Sequence, residues 1–278
     1  MSVITYSKTP IRAVYDAQAT TYYVPSVSMS ISAQNKLEKS TILAPNQNNN
    51  FRIGGELNSK ISISFIACNQ NKLGGGASDT WNFASGVLQD LTGLNSVSLY
   101  IGANLFSGCY LDDVSVEIAA FKPVMITADF TCLTAPVATS FSGSGANYQD
   151  NLVDGIAYGF NTVITDGSTL SDSNRESISY KINCDRSYTT SIGRDSVNNV
   201  FLNQVQKQLT IKSHNIGSYI SFSGYGEAIT IDPQNASGQS IVNGGFGMSS
   251  NCKIVAQNLS TQQGDILMGD VSLQEVVL

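Results

Sequence analysis

At 278 residues the chain is long enough for one large domain or two of about 140 each, and either buries a core without covalent staples. Hydrophobic residues make up 42% and charged residues only 13%, so the polar character comes from neutral groups, 37 Ser and 24 Asn among them. Asp and Glu exceed Lys and Arg by 21 to 15, and the formal charge of −6 argues against a nucleic-acid-gripping surface, which needs a basic excess.

Short phrases of alternating Ser and aliphatic residues, such as 61-ISISF-65 and 177-SISYKI-182, recur along the chain. Alternation at period two puts one residue type on each face of a strand, so the phrases predict half-buried antiparallel sheet and an all-β fold. Strands are predicted at 27–31, 61–65, 97–101, 114–118 and 124–132. In the last, Val124, Ile126, Ala128, Phe130 and Cys132 share one face, and Thr127, Asp129 and Thr131 the other. One helix is predicted at 81–91, where Phe83, Val87, Leu88 and Leu91 fall on one side, Ser78 or Asp79 caps the start and Gly93 ends it. Gly74–Gly76 before it has no following lysine and hydroxyl, as a phosphate loop would, and reads as a loop tip.

Residues 140–151, SFSGSGANYQDN, are aperiodic and rich in Ser, Gly and Asn, which marks a linker. We place it at 143–154, between domains at 1–142 and 155–278. A second set of strands is predicted at 156–160, 178–182, 209–211, 220–222, 229–231, 254–256 and 271–273. The halves superpose in sequence: 26-SVSMSIS-32 on 177-SISYKIN-183, 49-NNFR-52 on 199-NVFL-202, and 58-NSKISIS-64 on 206-QKQLTIK-212. The expectation is a duplicated β-sandwich or barrel unit.

The five cysteines, Cys68, Cys109, Cys132, Cys184 and Cys252, are scattered and odd in number, and include no C-x-x-C pair. They predict reduced, mostly buried thiols rather than a disulfide framework. The N-terminus carries no basic stretch followed by an apolar one, and no apolar run approaches the roughly 18 residues of a membrane helix, so neither secretory export nor a membrane span is expected. Asn235-Ala236-Ser237 and Asn258-Leu259-Ser260 match the glycosylation pattern by composition alone.

A search for chemistry starts and ends with His214, the one histidine, in 209-LTIKSHNIG-217. Nothing singles out a Ser or Cys partner for it, there is no G-x-S-x-G elbow, and it reads as a solvated histidine at a strand end. Asp112-Asp113 and 166-DGSTLSDS-173 are the nearest oxygen clusters for calcium or magnesium, but neither has the D-x-D-x-D-G order with a closing Glu, and they read as hydrogen-bonded turns. No catalytic, cofactor-binding or metal-ligating residue is therefore assigned, and no enzyme activity is expected.

The run 175-RESISYKINCDRSYTTSIGRDSV-197 resembles the signature stretch of bacteriophage tail tube and related tail proteins, a polar alternating strand, a short loop and an Ile-Gly turn, here Ile192-Gly193. The C-terminal run 251–278 is similar to the strands on which such proteins close. The resemblance implies two tandem tail-tube-like domains, the first with a short helix, in a non-enzymatic virion structural protein. Its subunits are expected to form stacked rings, hexameric or, with a duplicated fold, trimeric with pseudo-sixfold symmetry, whose sheets join around a DNA-conducting lumen. Implied partners are other copies of the chain and tail proteins such as sheath, baseplate hub or tail terminator. DNA passes without specific binding, no cofactor or membrane is involved, and the location is the virion after assembly in host cytoplasm. Within this reading 33–50 is a stacking loop. A baseplate hub or distal tail protein of the same fold is the nearest alternative. A carbohydrate-binding β-sandwich using some of the 12 Tyr and 11 Phe comes next, and a hydrolase built on His214 last.

Overall fold

The computed structural model describes residues 11–17, 20–24, 26–34, 37–40, 50–53, 58–67, 88–140, 156–165, 175–190, 197–214, 228–238, 240, 246–261 and 267–277. The described residues are mostly strand. In order, the strands are β1 (Ile11–Tyr15), β2 (Thr20–Val24), β3 (Ser26–Gln34), β4 (Leu37–Ser40), β5 (Asn50–Ile53), β6 (Asn58–Ile66), β7 (Val97–Ile101), β8 (Asn104–Ala119) and β9 (Met125–Cys132). They continue with β10 (Val137–Ala138), β11 (Val163–Thr165), β12 (Arg175–Thr190), β13 (Val197–His214), β14 (Ile229–Asp232), β15 (Phe246–Met248), β16 (Lys253–Thr261) and β17 (Leu267–Val277).

Period-two alternation accounts for these strands directly. β7 and β9 bury Val97, Leu99 and Ile101, and Ile126, Ala128 and Phe130, while the residues between them are half-exposed. Of the predicted helix only α1 (Leu88–Asp90) lies within the described residues, and it buries Leu88 and, just beyond it, Leu91. The strand expected at 156–160 is instead two isolated bridge positions, Ile156 and Tyr158, followed by a 3-10 turn at Gly159–Asn161. The strand expected at 220–222, the glycine tract 74–76, Ile192-Gly193 and the linker 143–154 lie outside the described residues. Part of the expected stacking loop 33–50 is strand: β4 pairs with β5 from Leu37 opposite Ile53 to Ser40 opposite Asn50.

Twelve strands form one branched antiparallel sheet. At its centre is the long β8, bent at two bulges. One edge of β8 pairs with β9; the other pairs with β7 along its first part and with β12 along its second, from Asp113 opposite Asn183 to Ala119 opposite Ser177. Gly108, at φ 59, sits in the first bulge, a left-handed conformation that only glycine adopts without strain. β7 and β8 are joined by the two-residue turn Gly102-Ala103, whose positive φ at Gly102 suits the right-handed strand twist.

The strands β3-β6-β9-β8 lie side by side, and so do β12-β13-β17-β16. Their cross-strand rows correspond. Met29, Ile63, Ala128 and Val114 are successive register partners in the first group, and Tyr180, Leu209, Leu273 and Ile254 in the second. One residue further along, Ser64 and Thr127 share a 2.8 Å hydroxyl hydrogen bond, and Thr210 and Ser272 share one of 3.1 Å at the corresponding place. The match of 26–32 with 177–183 seen in sequence is the structural one. The match of 58–64 with 206–212 is displaced by two residues, since Ile63 corresponds to Leu209 rather than Ile211. A slip of two leaves every side chain on its own face, so alternation alone does not distinguish the two registers.

Because β8 pairs with β12, the two four-stranded groups form one ribbon, β3-β6-β9-β8-β12-β13-β17-β16. Its apolar face belongs to a single core cluster, together with Ile11, Ala13 and Tyr15 of β1 and Ile229, Ile231, Phe246 and Met248 of the smaller sheet β11-β14-β15. The Tyr180 and Phe246 rings pack 5.7 Å apart, which seats that smaller sheet against β12. Burying each such large side chain contributes about 1.5–3 kcal/mol.

Candidate assembly surface

The residues that could carry chemistry are dispersed. His214, at the end of β13, is 41% exposed, and its Nε2 lies 3.9 Å from the Glu176 carboxylate, a loose contact at a strand end. Asp112 accepts a 2.5 Å hydrogen bond from Thr131, and Asp113 accepts one of 2.7 Å from Asn183. Burial raises the Asp112 carboxyl above its usual value, against the Thr131 hydrogen bond and the Arg186 and Lys60 charges. Neither aspartate joins a metal-holding group, and among the described residues no cluster of three or more His, Cys, Asp or Glu could hold an ion. The acidic loop 166–173 lies outside the described residues.

Of the two glycosylation matches, Asn235 is buried and its side-chain oxygen accepts from the Ser237 backbone N–H, closing a turn. Asn258 donates to Asp270 across β16 and β17. The expectation of reduced thiols is corrected at one place. Cys109 and Cys132 are register partners on β8 and β9 and form a disulfide. Strand pairing, rather than sequence spacing, brought these two thiols into reach. Cys184 and Cys252 are buried and outside the disulfide, and burial pushes the Cys184 thiol up to about 11, which makes it a poor nucleophile.

Two buried polar clusters were not singled out from sequence. Glu275 stands on the core-facing side of β17 in line with Val271 and Leu273, and is 3% exposed. Burial alone raises its carboxyl, but the hydroxyl of Ser249 at 2.5 Å, its backbone N–H at 2.9 Å and the Lys207 ammonium at 3.6 Å outweigh this and hold it below the usual carboxylate range. The signal was present: Lys207 and Glu275 are opposite charges on the apolar phase of neighbouring strands, directly paired in register. The second cluster is Arg186 on β12, whose guanidinium donates to the carbonyls of Leu91 (2.7 Å), Gly93 (2.6 Å) and Leu111 and lies over the Tyr110 ring. It ties β12 to β8 and to the chain after α1.

Both clusters are braces, and the extended feature that remains is the wet face of the ribbon. It presents Ser28, Ser30 and Ser32 from β3, Ser62 and Ser64 from β6, and Thr127 from β9. The second repeat continues it with Ser177, Ser179 and Asn183 of β12, Gln206, Gln208 and Thr210 of β13, and Ser272 and Gln274 of β17. Its charges nearly cancel: Asp113, Glu117, Asp129 and Asp270 stand among Lys60, Lys181 and Lys212. At the tip between β8 and β9, Phe121 is 85% exposed and stacks at 6.2 Å on Phe160, which stacks at 5.5 Å on Tyr158. Beside this stack is a groove of about 330 Å³ flanked by Thr162, Arg175 and Glu176.

In comparison with known proteins, the chain matches no family model and no curated protein. Among the described residues no helix is long and apolar enough to cross a membrane.

Proposed function

We propose that the chain is a non-enzymatic structural subunit that assembles with copies of itself into stacked rings, forming the DNA-conducting tube of a bacteriophage tail. The observation that carries the reading is the ribbon itself. Two repeats are already fused edge to edge into one ribbon with an apolar face and a wet face, which is what the wall of a tube requires. A surface along which DNA slides must not grip it, because each phosphate ion pair retards the polymer. A face of serine, threonine, asparagine and glutamine with balanced charge meets that condition. A duplicated subunit supplies two wall segments, so three copies give pseudo-sixfold rings. A baseplate hub or distal tail protein would use the same ribbon with different loops.

Negative-stain electron microscopy of the purified chain tests this. Hollow rings or tubes with threefold or sixfold projections are expected, and compact particles without a central channel contradict the reading. The Phe121–Phe160–Tyr158 stack beside a polar groove favours a second reading, a carbohydrate-binding β-sandwich, since aromatic faces receive the apolar faces of sugars. Under that reading a glycan array gives binding that Phe160→Ala abolishes.

A further inference from the structure

The ribbon ends on two strands. Among the described residues β3 pairs only with β6 and β16 pairs only with β17, so each leaves one edge without a strand neighbour. An open edge is a template for another strand, and its row of backbone groups stays uncompensated until one arrives. These two edges are not independent, because the repeat relates them to a junction present inside the chain. β3 corresponds to β12, and β16 to β8. Within the chain, β12 and β8 are hydrogen-bonded antiparallel.

The side chains agree. Met29 and Ile31 of β3 occupy the places that Tyr180 and Ile182 occupy in β12, and Val27, the bulge residue of β3, stands beside the place of Ile178. With β8 beside them, Ile178 and Ile182 are 5% and 3% exposed, whereas Val27 and Ile31 are 60% and 41% exposed. The same apolar row is covered in one repeat and bare in the other, and what differs is the neighbouring strand together with the smaller sheet seated on β12.

We infer that β16 of one copy of this chain adds to β3 of the next, reproducing the β8–β12 junction between molecules. The partner is a second copy, and the contact is heterologous, which builds a ring when the rotation from copy to copy closes. The register follows from the internal junction. Val114 lies opposite Ile182, Val116 opposite Tyr180 and Ile118 opposite Ile178. Carried through the repeat, with Val255 as the bulge residue of β16, Ile254 faces Ile31 and Gln257 faces Met29 of the neighbouring copy. This assignment rests on the ring-forming reading and specifies which edges meet.

The test pairs a cross-link with a block. The full chain carrying Ile31→Cys and Ile254→Cys is oxidised mildly and run without reductant. A ladder ending at a covalent trimer is expected, since directly opposed residues on antiparallel strands are within disulfide reach. Val27→Lys puts a charge on the exposed edge without touching the core; it is expected to keep the wild-type melting temperature and to remain monomeric. If wild-type rings form while Val27→Lys also forms rings and the cysteine pair gives no ladder, the edge assignment is overturned and the ring reading stands. A ladder from Met29→Cys with Ile254→Cys, in place of the predicted pair, overturns the register. If the wild-type chain makes neither rings nor cross-links, both the reading and the edge assignment fail.

Discussion

Arg186 and Glu275 are polar residues held in the body of the fold, and their partners predict how each behaves when changed. Arg186→Ala leaves three backbone carbonyls, of Leu91, Gly93 and Leu111, without their donor, and is expected to cost about 2–4 kcal/mol in chemical denaturation. Arg186→Lys recovers little of this, because an ammonium on a flexible stem does not reproduce a planar fork aimed at three acceptors. Glu275 is held charged in the folded state, so its carboxyl lies below its unfolded value. Its stabilising contribution is present above the unfolded carboxylate range and is lost as pH falls through the lowered folded value. Glu275→Gln is expected to flatten the acid limb of a stability–pH profile; an unchanged acid limb would show that Ser249 and Lys207 do not hold the charge. Asp112 has the opposite sign, since burial raises its carboxyl and its contribution declines as pH rises through that value. Asp112→Asn is therefore expected to be neutral or slightly stabilising at pH 7.

Strand pairings explain which elements sequence could supply and which it could not. Where one face of a strand is buried and the other wet, as in β7 and β9, alternation read directly from the residues locates the strand within a residue or two. β1 and β15 also alternate in burial, but β15 has only three residues, and in β1 a half-exposed Val14 beside a buried Ala13 blurs the pattern. The span 156–160 alternates in sequence yet turns after Tyr158, because a bridge to Pro123 and the 3-10 turn take its backbone groups. The Cys109–Cys132 bridge was illegible for a different reason: it depends on which strands become neighbours. Replacing both cysteines with alanine is expected to lower stability by about 3 kcal/mol on the chain-entropy account, for a sequence separation of 23. Thermal unfolding with and without reductant checks this, and coincident curves would show the bridge contributes nothing. Among candidate surfaces, the Ser-rich face was visible in the alternation, but the two ribbon edges emerged only once pairing fixed which strands lie outermost.

On the scale of the whole molecule, duplication is the organising fact. Two similar ribbons fused through β8 and β12 leave one end that matches the inner edge of each repeat and another that matches its partner, so a single chain displays both halves of its own junction. In the assembly we propose, a wet face without cationic excess would line a channel through which a polyanion passes unheld, and the proposal predicts weak, salt-insensitive association with DNA. Light-scattering mass across a concentration series tests the central claim most directly. The account predicts a species of roughly 89 kDa, three times the 29.6 kDa chain, growing with concentration into longer stacks in multiples of that mass. A single 29.6 kDa species at every concentration would contradict it.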